Sequence, residues 1–355
     1  MANERMLMKG NEALAEAAVR AGCKCYFGYP ITPQTEIAAY MSKRMPKCGG
    51  VFLQAESEIA AINMVYGAAA TGVRAMTSSS SPGVSLKSEG ISYAAGCDLP
   101  CVIVNVQRAG PGLGGIQPAQ NDYYLATRAA GHGDFFLIVY APSSVQEMAD
   151  YVVKAFDMAD KYRMPAMILT DGVLGQMMEP VVFSDPSDST VNKDWAATGH
   201  KNERKHNIIN SLYLQPEELE KSNIARYKKY DIVKAELPEA ESYLTEDADI
   251  IVTGYGASAR IVRSAVNAAR AEGIKAGMIR PITLWPFPAE AYAKTVDTCK
   301  AYLCVELSMG QMIDDVKLAT SCRRPVRFFG RTGGVIHTPA EILEQIRTIA
   351  KEELK

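Results

Sequence analysis

Three places in this 355-residue chain put a reactive side chain where an apolar run breaks off. In "GYPITPQTE" (28–36) a hydroxyl, Thr32, stands between Pro30 and Pro33. In "QAESEIAA" (54–61) two carboxylates, Glu56 and Glu58, lie where an apolar strand pattern passes into an apolar helix pattern. In "VNVQRAGPGLGG" (104–115) a guanidinium, Arg108, ends a buried-looking run and is followed by glycines. A rigid elbow presents the hydroxyl, a carboxylate at risk of burial can be made to work with protons, and an arginine beside glycines suits a carboxylate or a phosphate.

Each of these groups also has a plainer reading. Pro33 suits the first position of a helix and Thr32 its N-cap, with no ligand involved. Glu56 and Glu58 in a first helical turn are favoured by the helix dipole alone. A glutamate entering "IAAINMVYGAAATG" needs a partner or a raised pKa once it is buried. Arg108 could pair with a neighbouring acid. Ligands of open parallel sheets bind beyond the carboxyl ends of the strands, and three such ends here offer three complementary groups. That coincidence favours a site without naming its reaction.

The elements that would position these groups alternate. Strand patterns at 25–30, 51–54, 73–78, 101–106, 135–144 and 165–172 are separated by helical stretches at 32–45, 57–72 and 144–163. The order predicts an α/β fold, a mostly parallel sheet with helices on both faces. A second alternation follows, with strands in "DIIVTGYG", "KAGMIRP", "AYLCVEL" and "VRFFG". Its last helix starts at Thr338, with Pro339 in first position and Glu341 completing a capping box. The domain reading is 1–183, a linker and surface excursion over 184–245, and a smaller α/β domain over 246–355.

Other chemistry is disfavoured. A net charge of -2 argues against nucleic acid as main partner, and no apolar run is long enough to span a bilayer. The cytoplasm is the default location. Eight cysteines form no C-x-x-C and four histidines no HExxH, so most thiols are expected to be buried and a zinc enzyme is not expected. "CKC" (23–25) is expected on a strand. "GYGASA" (254–259) imitates the dinucleotide fingerprint, with Glu272 downstream, and makes an NAD-binding dehydrogenase the rival from another class. The turn's own geometry explains those glycines as well.

"GYPITPQTE", "QAESEIAAINMVYGAAATG" (54–72), "TSSSSPGVSL" (77–86), "VNVQRAGPGLGG", "GHGDFFLIVYAPSS" (131–144), "IRPITLWPFP" (279–288) and "VELSMGQM" (305–312) resemble the α chain of 2-oxoacid:ferredoxin oxidoreductases. The resemblance covers nearly the whole chain. It is nearest to the subunit for 2-ketoisovalerate (3-methyl-2-oxobutanoate), with the 2-oxoglutarate enzyme close behind. It implies a thiamine-diphosphate-enzyme pyrimidine-binding domain plus a transketolase-C-terminal-like domain. It further implies oxidative decarboxylation of a 2-oxoacid, with coenzyme A taking the acyl group and ferredoxin the electrons. By that resemblance Glu58, rather than Glu56, meets N1′ of the aminopyrimidine, and Tyr29 and Pro30 lie by the ring. Thr32 contacts the 2-oxoacid and Arg108 binds its carboxylate. No G-D-G motif is present, so the diphosphate and its Mg2+ are expected on a β subunit. The iron–sulfur clusters are expected on ferredoxin-like and γ-type subunits.

Overall fold

A computed structural model describes residues 5–128, 130–183 and 191–353. The chain opens with strand Met6–Lys9 (β1) and helix Gly10–Arg20 (α1). Strict alternation follows: Cys25–Gly28 (β2), Thr35–Arg44 (α2), Val51–Gln54 (β3), Glu58–Ala70 (α3), Ala75–Ser79 (β4), Ser81–Gly96 (α4) and Val102–Gln107 (β5). Next come Tyr123–Thr127 (α5), Ile138–Tyr140 (β6), Val145–Tyr162 (α6), Ala166–Asp171 (β7), Gly172–Gln176 (α7) and Met178–Val181 (β8). After Pro216–Glu236 (α8), the second series is Ala240–Tyr243 (β9), Ile250–Thr253 (β10), Gly256–Ala271 (α9), Ala276–Pro281 (β11) and Thr283–Trp285 (β12). It ends with Ala289–Ala293 (α10), Ala301–Glu306 (β13), Met312–Ala319 (α11), Val326–Gly330 (β14) and Pro339–Glu353 (α12).

The large sheet has seven strands in the order β12-β6-β7-β5-β4-β2-β3, all parallel except β12. Its central strands β4, β5 and β7 are buried at every position, as continuous apolar runs covered on two faces should be. Because the strands run parallel, Gly28, Gln54, Ser79 and Gln107 all end on one edge. The residues that follow them gather there.

A five-stranded sheet, β14-β13-β10-β11-β9, makes the second unit, with its own core of Val262, Val266, Leu303, Ile342 and Ile346. The units are interlocked. Strand β12 leaves the second unit to pair antiparallel with β6, and Trp285 stacks on Phe136 at 4.7 Å. The stretch expected as linker and excursion contains α8, whose Tyr230 packs edge-on to Trp285, and β9, which joins the second sheet. Its residues 184–190 lie outside the described ones. Among the described residues no helix is long and apolar enough to cross a membrane.

Two local expectations are corrected. Cys23 precedes β2, so only Cys25 of "CKC" is on the strand. Helix α2 begins at Thr35, not at Pro33. The capping box is present: Thr338 N donates to Glu341 Oε2 at 2.8 Å and Glu341 N to Thr338 Oγ1 at 3.3 Å. Five of the eight cysteines are buried.

Candidate active site

Tyr29–Pro33 form an elbow rather than a helix cap. Thr32 is exposed, Pro33 is buried, and the Thr32–Pro33 peptide is cis. Gln34, fully buried, ties the turn down: its Nε2 donates to Tyr29 O at 3.0 Å, and its Oε1 accepts from Ser78 Oγ at 2.5 Å. Asn11 Nδ2 adds a bond to Pro33 O at 2.9 Å. These long-range bonds hold 31–34 out of helical conformation, which is why the helix starts two residues late. Tyr29 is half-buried and Pro30 exposed at the rim.

The two glutamates part company. Ser57, in extended conformation, caps α3 by accepting from Ala60 N at 3.2 Å. Glu58 is therefore the first helical residue and turns inward, 6% exposed, while Glu56 faces solvent. The Glu58 carboxylate rests against α4 where α4 has no side chain. A Cβ on Gly83 would lie 2.6 Å from Glu58 Oε1 and 2.2 Å from Ser79 Oγ. Ser79 and Ser80 carry buried hydroxyls with no partner. One turn further along α4 is Lys87, fully buried, its Nζ donating to Thr77 Oγ1 at 2.8 Å and Ser78 O at 3.0 Å. Burial lowers the Lys87 ammonium to about 7, opposed by attraction from Glu58.

Arg108, 7% exposed, has no acidic partner among the described residues. Its Nη1 donates to Thr32 O at 3.1 Å and its Nη2 to Leu113 O at 3.2 Å, and its Nε is unpaired. The plainer ion-pair reading therefore fails, and a buried cation is left for an incoming anion. Its backbone is set by a polar cage. Arg108 N donates to Ser81 Oγ at 3.0 Å, Ser81 Oγ donates to Asp122 Oδ2 at 2.5 Å, and Asn105 Nδ2 donates to the same oxygen at 2.9 Å. Burial pushes the Asp122 carboxyl up, offset in part by those donors. Ser81 adopts a φ of 21°, a strained value for a residue with a side chain.

The first turn of α4 thus joins the three groups. Ser81 holds Arg108, Arg108 holds the Thr32 carbonyl, and Gly83 seats Glu58. Gln34, Gly83, Lys87, Ser81 and Asp122 were missed by sequence reasoning. The "SSSPG" run directly after a strand was the available signal for two of them, and Gln34 and Lys87 left none.

"GYGASA" does different work. Gly256 has a φ of 55°, and the turn is filled by Gln120 and Asp171 of the first unit. Gln120 Nε2 donates to Tyr255 O at 2.7 Å, Gln120 Oε1 accepts from Ser258 Oγ at 2.7 Å and Leu307 N at 3.1 Å, and Asp171 caps the following helix through Ala257. Burial pushes Asp171 to about 6. Glu272 is paired with Arg347 at 2.5 Å. The anion site of a dinucleotide fold is occupied by protein, so this turn docks the two units. Among the described residues no group of three or more His, Cys, Asp or Glu could hold a metal ion.

Comparison with known proteins agrees with this geometry. Residues 16–244 match the family described as pyruvate flavodoxin/ferredoxin oxidoreductase, thiamine diphosphate binding. Residues 248–342 match pyruvate:ferredoxin oxidoreductase core domain II. The chain is 49% identical to ketoisovalerate oxidoreductase subunit VorB of Methanothermobacter thermautotrophicus, over 97% of each chain. It is 35% identical to 2-oxoglutarate synthase subunit KorA of the same organism, over 97% of this chain and 98% of the other. The structure of 2-oxoglutarate:ferredoxin oxidoreductase from Magnetococcus marinus, with 2-oxoglutarate, coenzyme A and succinyl-CoA bound, superposes with a TM-score of 0.87 at 29% identity. The overlap takes in 99% of this chain and 66% of that one. A split-gene transketolase, at 14% identity and a TM-score of 0.61, shares the fold alone.

Proposed function

The chain belongs to the 2-oxoacid:ferredoxin oxidoreductase family, and we propose that it is the pyrimidine-binding α subunit of a 2-ketoisovalerate (3-methyl-2-oxobutanoate) ferredoxin oxidoreductase. The higher identity to the ketoisovalerate subunit, 49% against 35% for the 2-oxoglutarate subunit, supports that substrate class. The reaction is oxidative decarboxylation of a branched-chain 2-oxoacid to acyl-CoA and carbon dioxide, with two electrons passing to ferredoxin. The diphosphate and Mg2+ belong to a β subunit and the clusters to ferredoxin-like and γ-type subunits, as the family resemblance implies. The assembly works in the reduced cytoplasm, which suits eight free thiols.

The observation that carries this reading is the buried carboxylate of Glu58 seated on Gly83. It fits an aminopyrimidine: a side chain on Gly83 would fill the cradle, and the partnerless Ser79 hydroxyl lies beside it. When bound, thiamine diphosphate supplies the nucleophilic carbon that attacks a 2-oxoacid and the electron sink that lets carbon dioxide leave. Glu58 holds a proton at the pyrimidine N1′, and in a water-poor pocket that charge-assisted bond needs little reorganisation. Tyr29 and Pro30, on the elbow, would line the place of the pyrimidine ring. Thr32, held by Gln34 and Arg108, presents its hydroxyl to the 2-oxoacid. Arg108 grips the substrate carboxylate, but both Nη groups are already shared with carbonyls. A shared donor binds a carboxylate less tightly, which is useful where that charge must disappear in the transition state.

Co-expression with the partner subunits tests the reading. The complex should oxidise 3-methyl-2-oxobutanoate faster than 2-oxoglutarate, and the reverse order would move the assignment to the 2-oxoglutarate enzyme. Glu58→Gln should cut turnover by about 10²–10⁴-fold. Wild-type turnover in that variant would refute the catalytic role, and turnover by the isolated chain would refute the shared site.

A further inference from the structure

Lys87 is an anomaly for its residue type. Lysines are almost never fully buried unless paired, and this one has 0% exposure with no ion-pair partner among the described residues. It lies four residues after Gly83, so the two share one face of α4, one turn apart. That face is where the Glu58 carboxylate rests. The amine is aimed rather than loose. Thr77 Oγ1 and Ser78 O, successive residues of β4, hold it at 2.8 and 3.0 Å.

The other groups packed around it carry no compensating charge. On β4 these are Thr77 and Ser78, and Gln34, the residue before α2, reaches Ser78 Oγ with a neutral amide. From β2 comes Tyr26, whose hydroxyl bonds Ser78 Oγ at 2.6 Å and whose titration burial drives up, so it stays neutral. Glu58, on α3, is the charged group that acts on Lys87, and it favours the ammonium. An amine and a carboxylate thus share one buried compartment with no hydrogen bond between them among the described residues.

We propose that Lys87 is a positioning residue of the cofactor site, its amine set one turn along α4 from Gly83 as the counter-charge to the Glu58 carboxylate beneath the pyrimidine. The inference rests on the assignment of Glu58 made above. A carboxylate balanced in this way would accept the hydrogen bond of a protonated ring nitrogen when the cofactor is bound. Without the ammonium, the carboxylate would sit in that buried compartment with no charge opposite it. Thr77 and Ser78 fix the distance by orienting the amine from β4, the strand that ends in Ser79.

The test uses the complex loaded with thiamine diphosphate and follows deuterium exchange at the thiazolium C2 proton against pH, with no 2-oxoacid present. Lys87→Met keeps length and packing but removes charge. It should move the acidic midpoint of the exchange profile upward by about one pH unit or more, the shift expected when an opposite charge leaves a carboxylate. Thr77→Val removes one acceptor from the ammonium and should move the midpoint in the same direction, so the question survives if Lys87→Met fails to assemble. Glu58→Gln is the control. If Glu58→Gln abolishes exchange while Lys87→Met and Thr77→Val leave the midpoint in place, Lys87 is filler and this proposal falls alone. If Glu58→Gln exchanges like wild type, the assignment of Glu58 falls, and this proposal with it.

Discussion

Gly83→Ala isolates the geometry of the site from its chemistry. The substitution keeps every functional group and adds one methyl carbon at a position where the backbone tolerates alanine. Alanine is favoured over glycine in a helix by about 1 kcal/mol, so a stability loss is not built into the exchange. The added Cβ would lie 2.6 Å from Glu58 Oε1, and ordinary contact begins at 3.4 Å, so the carboxylate must retreat by about 0.8 Å. Ser79 Oγ, at 2.2 Å, must give way by more than that, which a rotamer change allows. A misplacement of about 1 Å at a reacting group costs on the order of 10²-fold. We therefore expect turnover of the complex to fall about 10–10²-fold, roughly 1.4–2.7 kcal/mol of transition-state stabilisation. The melting temperature should stay near wild type. The assay is steady-state oxidation of 3-methyl-2-oxobutanoate by the reconstituted complex, beside thermal unfolding. A Gly83→Ala complex of wild-type stability and undiminished turnover would show that Glu58 does not work from its seat on α4.

Arg108→Lys keeps the charge but loses the planar fork that engages Thr32 O and Leu113 O. KM for the 2-oxoacid should rise about tenfold or more with a smaller change in kcat, read from initial rates over a substrate series. His337 is 3% exposed, and burial lowers its imidazole from 6.5 to about 4. The unfolded chain thus binds more protons between those values, so His337 costs stability as pH falls from 6.5 toward 4. His337→Leu should flatten that part of the stability profile relative to wild type, measured by denaturant unfolding at pH 7 and pH 5. Parallel curves for the two proteins would contradict it. Thr338→Ala removes the hydroxyl that caps α12 and should lower unfolding free energy by about 1 kcal/mol, with turnover unchanged.

Local pattern alone determined a good deal about this protein. Buried parallel strands read as apolar runs, so β3, β5, β7 and β14 stood where the sequence placed them to within a residue, and the Thr338/Glu341 capping box was legible letter by letter. The motifs around Thr32, Glu58 and Arg108, together with four further segments, were enough to show the family resemblance. What they could not show depends on partners far away in the chain. The start of α2 is set by Gln34 meeting Ser78, 44 residues on. The inward turn of Glu58 matters because Gly83 leaves room for it, the docking role of "GYGASA" comes from Gln120 and Asp171, and β12 leaves its own unit to complete the other sheet. Lys87, set between Leu86 and Ser88, reads as a solvated lysine until the fold closes over it. Hydrophobic periodicity reports which face of an element is buried, whereas a polar group's fate is decided by the one atom it meets across the core, and that meeting exists only in three dimensions.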